Sequence, residues 1–274
     1  MRAMLPVLDL GFAAVPTAGL IYILGAWLAL SAVEKGAALL KQHVAATYTL
    51  AVLGLAAAFV GARAAFVASH WEAYRQQPLA IVWPLTAGFD IWAGLLLGAL
   101  AAFFYGRARG LPPWRTLDAL APGLLVGLST LSLADFLAGP GYGEAADLPW
   151  SISLFGVSRH PVQLYEIAFA LLALGVWRLA LIRGRDLPSR AGVPFLTAGA
   201  VYSAGRLFVD AFRDNAWLTQ GGYHVVQIIS LVMLLACLFF LLMRLESNAP
   251  ALHAERRVDG AEGMPPEMPE RRTG

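Results

Sequence analysis

Seven long apolar segments separated by short polar loops leave this chain few folds to adopt. They cover about 13–33, 46–69, 86–105, 117–138, 163–182, 193–213 and 223–243. A run of about 20 apolar residues crosses a bilayer as a helix, and a helix satisfies its own backbone polar groups in lipid. The sequence therefore predicts an all-α, polytopic integral membrane protein of about seven transmembrane helices. Composition excludes a soluble globular domain: 58% of residues are hydrophobic, 14% are charged, and mean hydropathy is +0.63. The first segment is too long, and too weakly basic at its start, for a cleavable signal peptide.

Charge placement orients the segments. Fourteen of the 20 Lys and Arg fall in the loops after the first, third and fifth segments, near the end of the fifth (Arg178) or in the C-terminal tail. Four lie on the other side, and Arg63 and Arg206 lie within segments. The positive-inside rule then places the N-terminus outside and the C-terminus in the cytoplasm, as expected for a multi-pass protein of a bacterial inner membrane. Residues 1–246 form the membrane domain, and 247–274, rich in Pro, Glu, Arg and Gly, are expected to be a disordered cytoplasmic tail. Two outer loops stand out. Residues 72–84 and their flank carry the interfacial aromatics Trp71, Tyr74 and Trp83, while 139–159 holds Trp150, Ile152, Leu154 and Phe155 in the pattern of a short amphipathic strand or a surface segment. There is no internal repeat, dinucleotide or phosphate-loop motif, or basic nucleic-acid face. The histidines at 43, 70, 160, 224 and 253 lack ligand spacing, so neither metal nor cofactor is expected. The single cysteine, Cys237, sits in an apolar run and reads as a small buried hydrophobe.

Chemistry concentrates in two stretches. Within 200–213, AVYSAGRLFVDAFR, the residues Tyr202, Arg206, Asp210 and Arg213 fall at i, i+4, i+8 and i+11, within about 80° of one another on a helix. Ionisable groups inside a membrane helix are costly unless paired, and mark a functional site. Arg206 and Asp210 are expected to pair along the helix, and a purely structural pair joining two helices is the competing reading. The second stretch is His160-Pro161-Val162-Gln163-Leu164-Tyr165-Glu166, where Pro161 suits a helix start and Gln163 and Glu166 project from one side near the outer surface. A histidine cap with a glutamate favoured by the helix dipole is the bland alternative to a polar site.

These stretches, with Asp118-x-x-x-Pro122-x-x-x-x-Gly127, Gly61-Ala62-Arg63 and Gln227-x-x-Ser230-x-x-Met233, resemble prolipoprotein diacylglyceryl transferases in order and spacing over about residues 15–243. The resemblance implies an enzyme that moves the diacylglyceryl group of phosphatidylglycerol, a membrane lipid, onto the thiol of a lipobox cysteine in a preprotein. Glycerol phosphate is released. The resemblance further implies that Arg206 holds the phosphate, that Asp210 stands where glutamate is usual, and that Tyr202 lines the cavity. Gln163, Tyr165 and Glu166 would support it from the neighbouring helix, with Arg63 and Arg213 in the substrate-binding set. The nucleophile belongs to the acceptor, so the enzyme itself needs no cysteine.

The opposite wall departs from the family pattern. Ala18 replaces a tyrosine, Trp92 the third-segment histidine and Pro140 a glutamate, while Ser132 and Asp135 fall in a stretch that usually carries arginine and asparagine. Losing a cation and gaining Asp135 beside a phosphate alters the site's charge. His160 and Asp135 are the candidates to replace the missing base. Three readings follow: the transferase itself, a non-catalytic homologue that binds anionic phospholipid or lipoprotein precursor, and a lipid-modifying enzyme with another acceptor. A small-solute transporter lacks its usual paired broken helices.

Overall fold

The computed structural model describes residues 7–9, 14–82, 88–139, 141–154, 156–183 and 190–262. Two short strands, β1 (Val7–Asp9) and β2 (Ala14–Pro16), pair antiparallel ahead of α1 (Thr17–Leu39). The first span thus begins at Thr17, later than expected, because Pro16 biases Val15 towards extended backbone. Then follow α2 (Val44–Ser69), the short α3 (Trp71–Gln76) and α4 (Leu79–Val82), and α5 (Ile91–Ala108). The start of α5 is set by Asp90, whose carboxylate accepts the N–H groups of Trp92 and Ala93, both at 3.0 Å. Next come α6 (Pro113–Ala138), the antiparallel pair β3 (Ile152–Leu154) and β4 (Val157–Arg159), and α7 (Val162–Arg183). The expected strand around Ile152 and Leu154 is therefore present; Phe155 and Pro140 lie outside the described residues. The chain closes with α8 (Val193–Val209) and α9 (Val225–Glu262). The expected domain boundary at residue 246 falls within α9.

Six helices are long and apolar enough to cross a membrane, the last being the Val225–Glu246 part of α9. Six of the seven expected segments correspond to these. The remaining one, 193–213, corresponds to α8, which has 17 residues, and the chain leaves it through a 3-10 turn at Asp210–Phe212. Large apolar side chains such as Ile23, Phe59, Phe104, Leu171 and Phe239 point outwards, as suits a surface bathed in hydrocarbon.

Close backbone approach builds one wall. A Cβ added at Gly36 of α1 would sit 2.6 Å from the Ala119 carbonyl oxygen of α6, and one at Gly123 would sit 2.7 Å from the Ala29 carbonyl oxygen. Glycine therefore lets α1 and α6 touch along their backbones. Beside this seam α6, α7 and α8 share an apolar layer of Ala121, Leu125, Ala173, Trp177, Leu181 and Ala198, against which Tyr202 packs. Asp118, a charge within the apolar fourth segment, secures one end of the layer. Its carboxylate caps α8 by accepting Gly192 N–H at 2.7 Å and Phe195 N–H at 2.9 Å, and its carbonyl accepts Trp177 Nε1–H at 2.9 Å. Cys237 is buried with Leu196 and Ala200, consistent with a packing role.

Candidate active site

About two turns beyond the apolar layer, the same three helices bring a charged layer together. Glu166 of α7 is its centre. One carboxylate oxygen, Oε1, accepts hydrogen bonds from both Arg206 and Arg213, and Oε2 accepts the Ser132 hydroxyl of α6 at 2.7 Å. The Glu166 side chain is 5% exposed, against 20% for Arg206 and 15% for Arg213. Neither polar end is placed by local sequence; the antiparallel run of α6, α7 and α8 places them. Asp135, half-buried one turn beyond Ser132, lies within Coulomb range of Glu166, Arg206 and Arg213.

The expected pairing of Arg206 with Asp210 does not form. The helix stops at Val209, and Arg213 takes up extended backbone that bridges to Gly143, so the two arginines converge on α7 instead. Asp210, 1% exposed, turns towards His224, with Oδ2 accepting from Nδ1 at 3.1 Å, and holds Arg213 Nε at 3.7 Å. Sequence reasoning missed this partner. The position of His224 immediately ahead of the last apolar run was its only local signal.

The described residues of the 139–159 loop pack against this charged layer. Buried Gln163 donates through Nε2 to the Gly141 carbonyl, and a Cβ at Gly141 would press to 2.9 Å on the Arg213 guanidinium. Arg159 donates to the Gly143 carbonyl at 3.0 Å and to Asp214 at 2.7 Å, and its guanidinium lies 4.7 Å from the Tyr142 ring centre. His160 does not cap α7: the Pro161 carbonyl receives the first helical N–H groups, one residue ahead of the expected start. The ring of His160 packs on Phe212, and its Nδ1 lies 3.3 Å from the Tyr165 hydroxyl, which also accepts Trp150 Nε1–H at 2.8 Å.

Arg63 serves different contacts. Buried in α2, it donates to the carbonyls of Ala80, Ile81 and Gly88 and lies against the rings of Tyr74 and Phe89, so it ties the 70–90 connection to its helix. Trp92, on the first turn of α5, lies against Trp217 with ring centres 6.0 Å apart. Among the described residues, six buried side-chain polar atoms lack a hydrogen-bond partner. Four of them, Arg159 Nε, Gln163 Oε1, Asp210 Oδ1 and Arg213 Nε, belong to this one region. Buried polar atoms are ordinarily satisfied; here Asp210 Oδ1 and Arg213 Nε meet only as an ion pair at 3.7 Å. No group of three or more His, Cys, Asp or Glu among the described residues is placed to hold a metal ion.

Fold and site together define a polytopic helical membrane protein with a cation pair at one end of its bundle, a group suited to an anionic headgroup. The sequence pattern of prolipoprotein diacylglyceryl transferases matches residues 6–243. The chain belongs to that family. It is 32% identical over 203 residues to the phosphatidylglycerol–prolipoprotein diacylglyceryl transferase of Enterococcus faecalis, covering 70% of this chain and 72% of that one. The Bacillus velezensis enzyme of the same name is 28% identical, with 85% and 88% covered, and that of Chloroflexus aggregans 27%, with 80% and 81% covered.

Proposed function

We propose that this chain transfers the diacylglyceryl group of phosphatidylglycerol to the thiol of a lipobox cysteine in a preprotein, releasing glycerol phosphate. The observation that carries the reading is the pair of guanidiniums, Arg206 and Arg213, gathered on one carboxylate oxygen of Glu166. A phosphodiester offers the same kind of oxygen acceptor, and arginine forks suit it. In this reading the phosphate takes over the arginines from Glu166, which keeps its bond to Ser132, and the two guanidiniums match the second negative charge that the leaving phosphate gains. Gln163 and Tyr202 line the lipid side. His160 and Tyr165 shape the loop side, and Asp135 balances charge on α6. Arg63 acts on the shape of the site through the 70–90 connection.

The same proposal includes α8 as a seventh span, an outward N-terminus, a tail from 247 in the cytoplasm, and the inner membrane as location. The strong bias of Lys and Arg to one set of loops supports it. A second reading, lipid binding without turnover, rests on Trp92 and Ser132 standing where the family pattern carries a histidine and an arginine while Arg206 and Arg213 are kept.

Single-turnover assays with purified protein, phosphatidylglycerol and a lipobox peptide separate the two. Glycerol phosphate release that falls by about 10²-fold or more in Arg206→Ala is expected for the transferase, since a lost clamp on developing charge has that size. The His160→Ala variant is expected to retain release. Bound lipid without release in the wild type would establish the second reading.

A further inference from the structure

Thiol transfer needs a group that takes the proton from sulfur, and the reading above assigns none. His224 stands directly before α9, with its backbone bridged to Leu218. Its Nδ1 lies 3.1 Å from Oδ2 of Asp210. A carboxylate only accepts, so in the neutral ring Nδ1 carries the proton and Nε2 the lone pair. The imidazole side chain is 28% exposed, whereas the carboxylate behind it is 0% exposed. A buried carboxylate behind a partly open imidazole fixes the tautomer and stabilises the imidazolium once formed.

The other described histidines of the membrane domain are engaged differently. His43 Nδ1 accepts the Ala46 N–H, His70 Nδ1 sits against the Ser69 hydroxyl and the Phe66 carbonyl, and His160 Nδ1 faces a phenol. Among them, His224 alone rests on a carboxylate. It is also joined to the arginine pair, because Asp210 holds Arg213 at 3.7 Å and Arg213 holds Glu166.

We infer that His224, oriented by Asp210, is the general base of the transfer, an assignment that rests on the transferase reading. Nε2 takes the thiol proton as the sulfur lone pair forms the C–S bond to the glyceryl carbon bearing the phosphate ester. The C–O bond at that carbon breaks, and its electron pair leaves on glycerol phosphate. The imidazolium then returns its proton to the phosphate or to water. Arg206 and Arg213 hold the leaving group, and Asp210 orients His224 while also holding Arg213.

The test compares two acceptors: the lipobox peptide, and the same peptide with selenocysteine, whose selenol is already ionised at neutral pH. The His224→Asn variant keeps an N–H for Asp210 but has no proton acceptor. With the thiol peptide, single-turnover glycerol phosphate release is expected to fall by about 10²-fold or more. With the selenol peptide it is expected to stay within about threefold of wild type, and phosphatidylglycerol binding is expected to be unchanged. His224→Gln serves identically should the Asn variant not fold. Equal losses with both acceptors would show a structural role and overturn the assignment, as would full activity with the thiol. A wild type that releases no glycerol phosphate with either acceptor would instead remove the transferase reading, and this base with it.

Discussion

Replacing Glu166 with alanine removes the one carboxylate on which Arg206 and Arg213 both rest, and orphans the Ser132 hydroxyl. Both guanidiniums are at least four-fifths buried, at 20% and 15% exposed, so water compensates them poorly. Removing one partner of a buried ion pair typically costs about 3–5 kcal/mol. For a chain of this size, that corresponds to a loss of about 6–20 °C in Tm. Glu166→Gln keeps an acceptor but not the charge and is expected to lie between alanine and wild type. Thermal unfolding in a neutral detergent measures both. Adding phosphatidylglycerol is then expected to raise the Tm of the alanine variant more than that of the wild type, because the phosphate supplies the missing negative charge. An alanine variant with wild-type Tm would refute the reasoning, since the arginines would then not depend on Glu166.

Two further outcomes follow from the scaffold. Asp118→Ala is expected to lower stability by about 1–2 kcal/mol through loss of the α8 cap, read as a lower Tm, while glycerol phosphate release per folded molecule stays near wild type. Gly123→Leu should wedge α1 from α6, because even a methyl there would meet Ala29 and Val33. The expected result is a loss of folded protein on size-exclusion chromatography, with Gly127→Ala, whose Cβ would lie 3.9 Å from its nearest neighbour, as the tolerated control.

The helices were legible because lipid demands long apolar runs, and that demand is written residue by residue in each segment. The ends were harder. Asp210 and Arg213 looked helical from spacing alone, but contacts with residues far along the chain, Gly143 and His224, decide where α8 stops. The same limit explains the mistaken Arg206–Asp210 pair. Local geometry allowed it, while Glu166, 40 residues away, offered both arginines a shared oxygen. Gln163 and Glu166 stood out as polar groups on an apolar helix. Ser132 drew notice only as the place of an absent arginine, and its bond to Glu166 depends on how α6 and α7 face each other. Asp118 was visible as a charge in a span, yet its role as a cap reaches 74 residues ahead to Gly192.

The glycine contact between α1 and α6 bears on how a two-tailed lipid reaches the arginines. Backbone touching backbone leaves no crevice wide enough for an acyl chain, so that flank of the bundle is sealed against sideways traffic from the bilayer. In the transferase reading the acyl tails therefore enter past another flank, and substitutions that change chain-length preference are expected there rather than along α1.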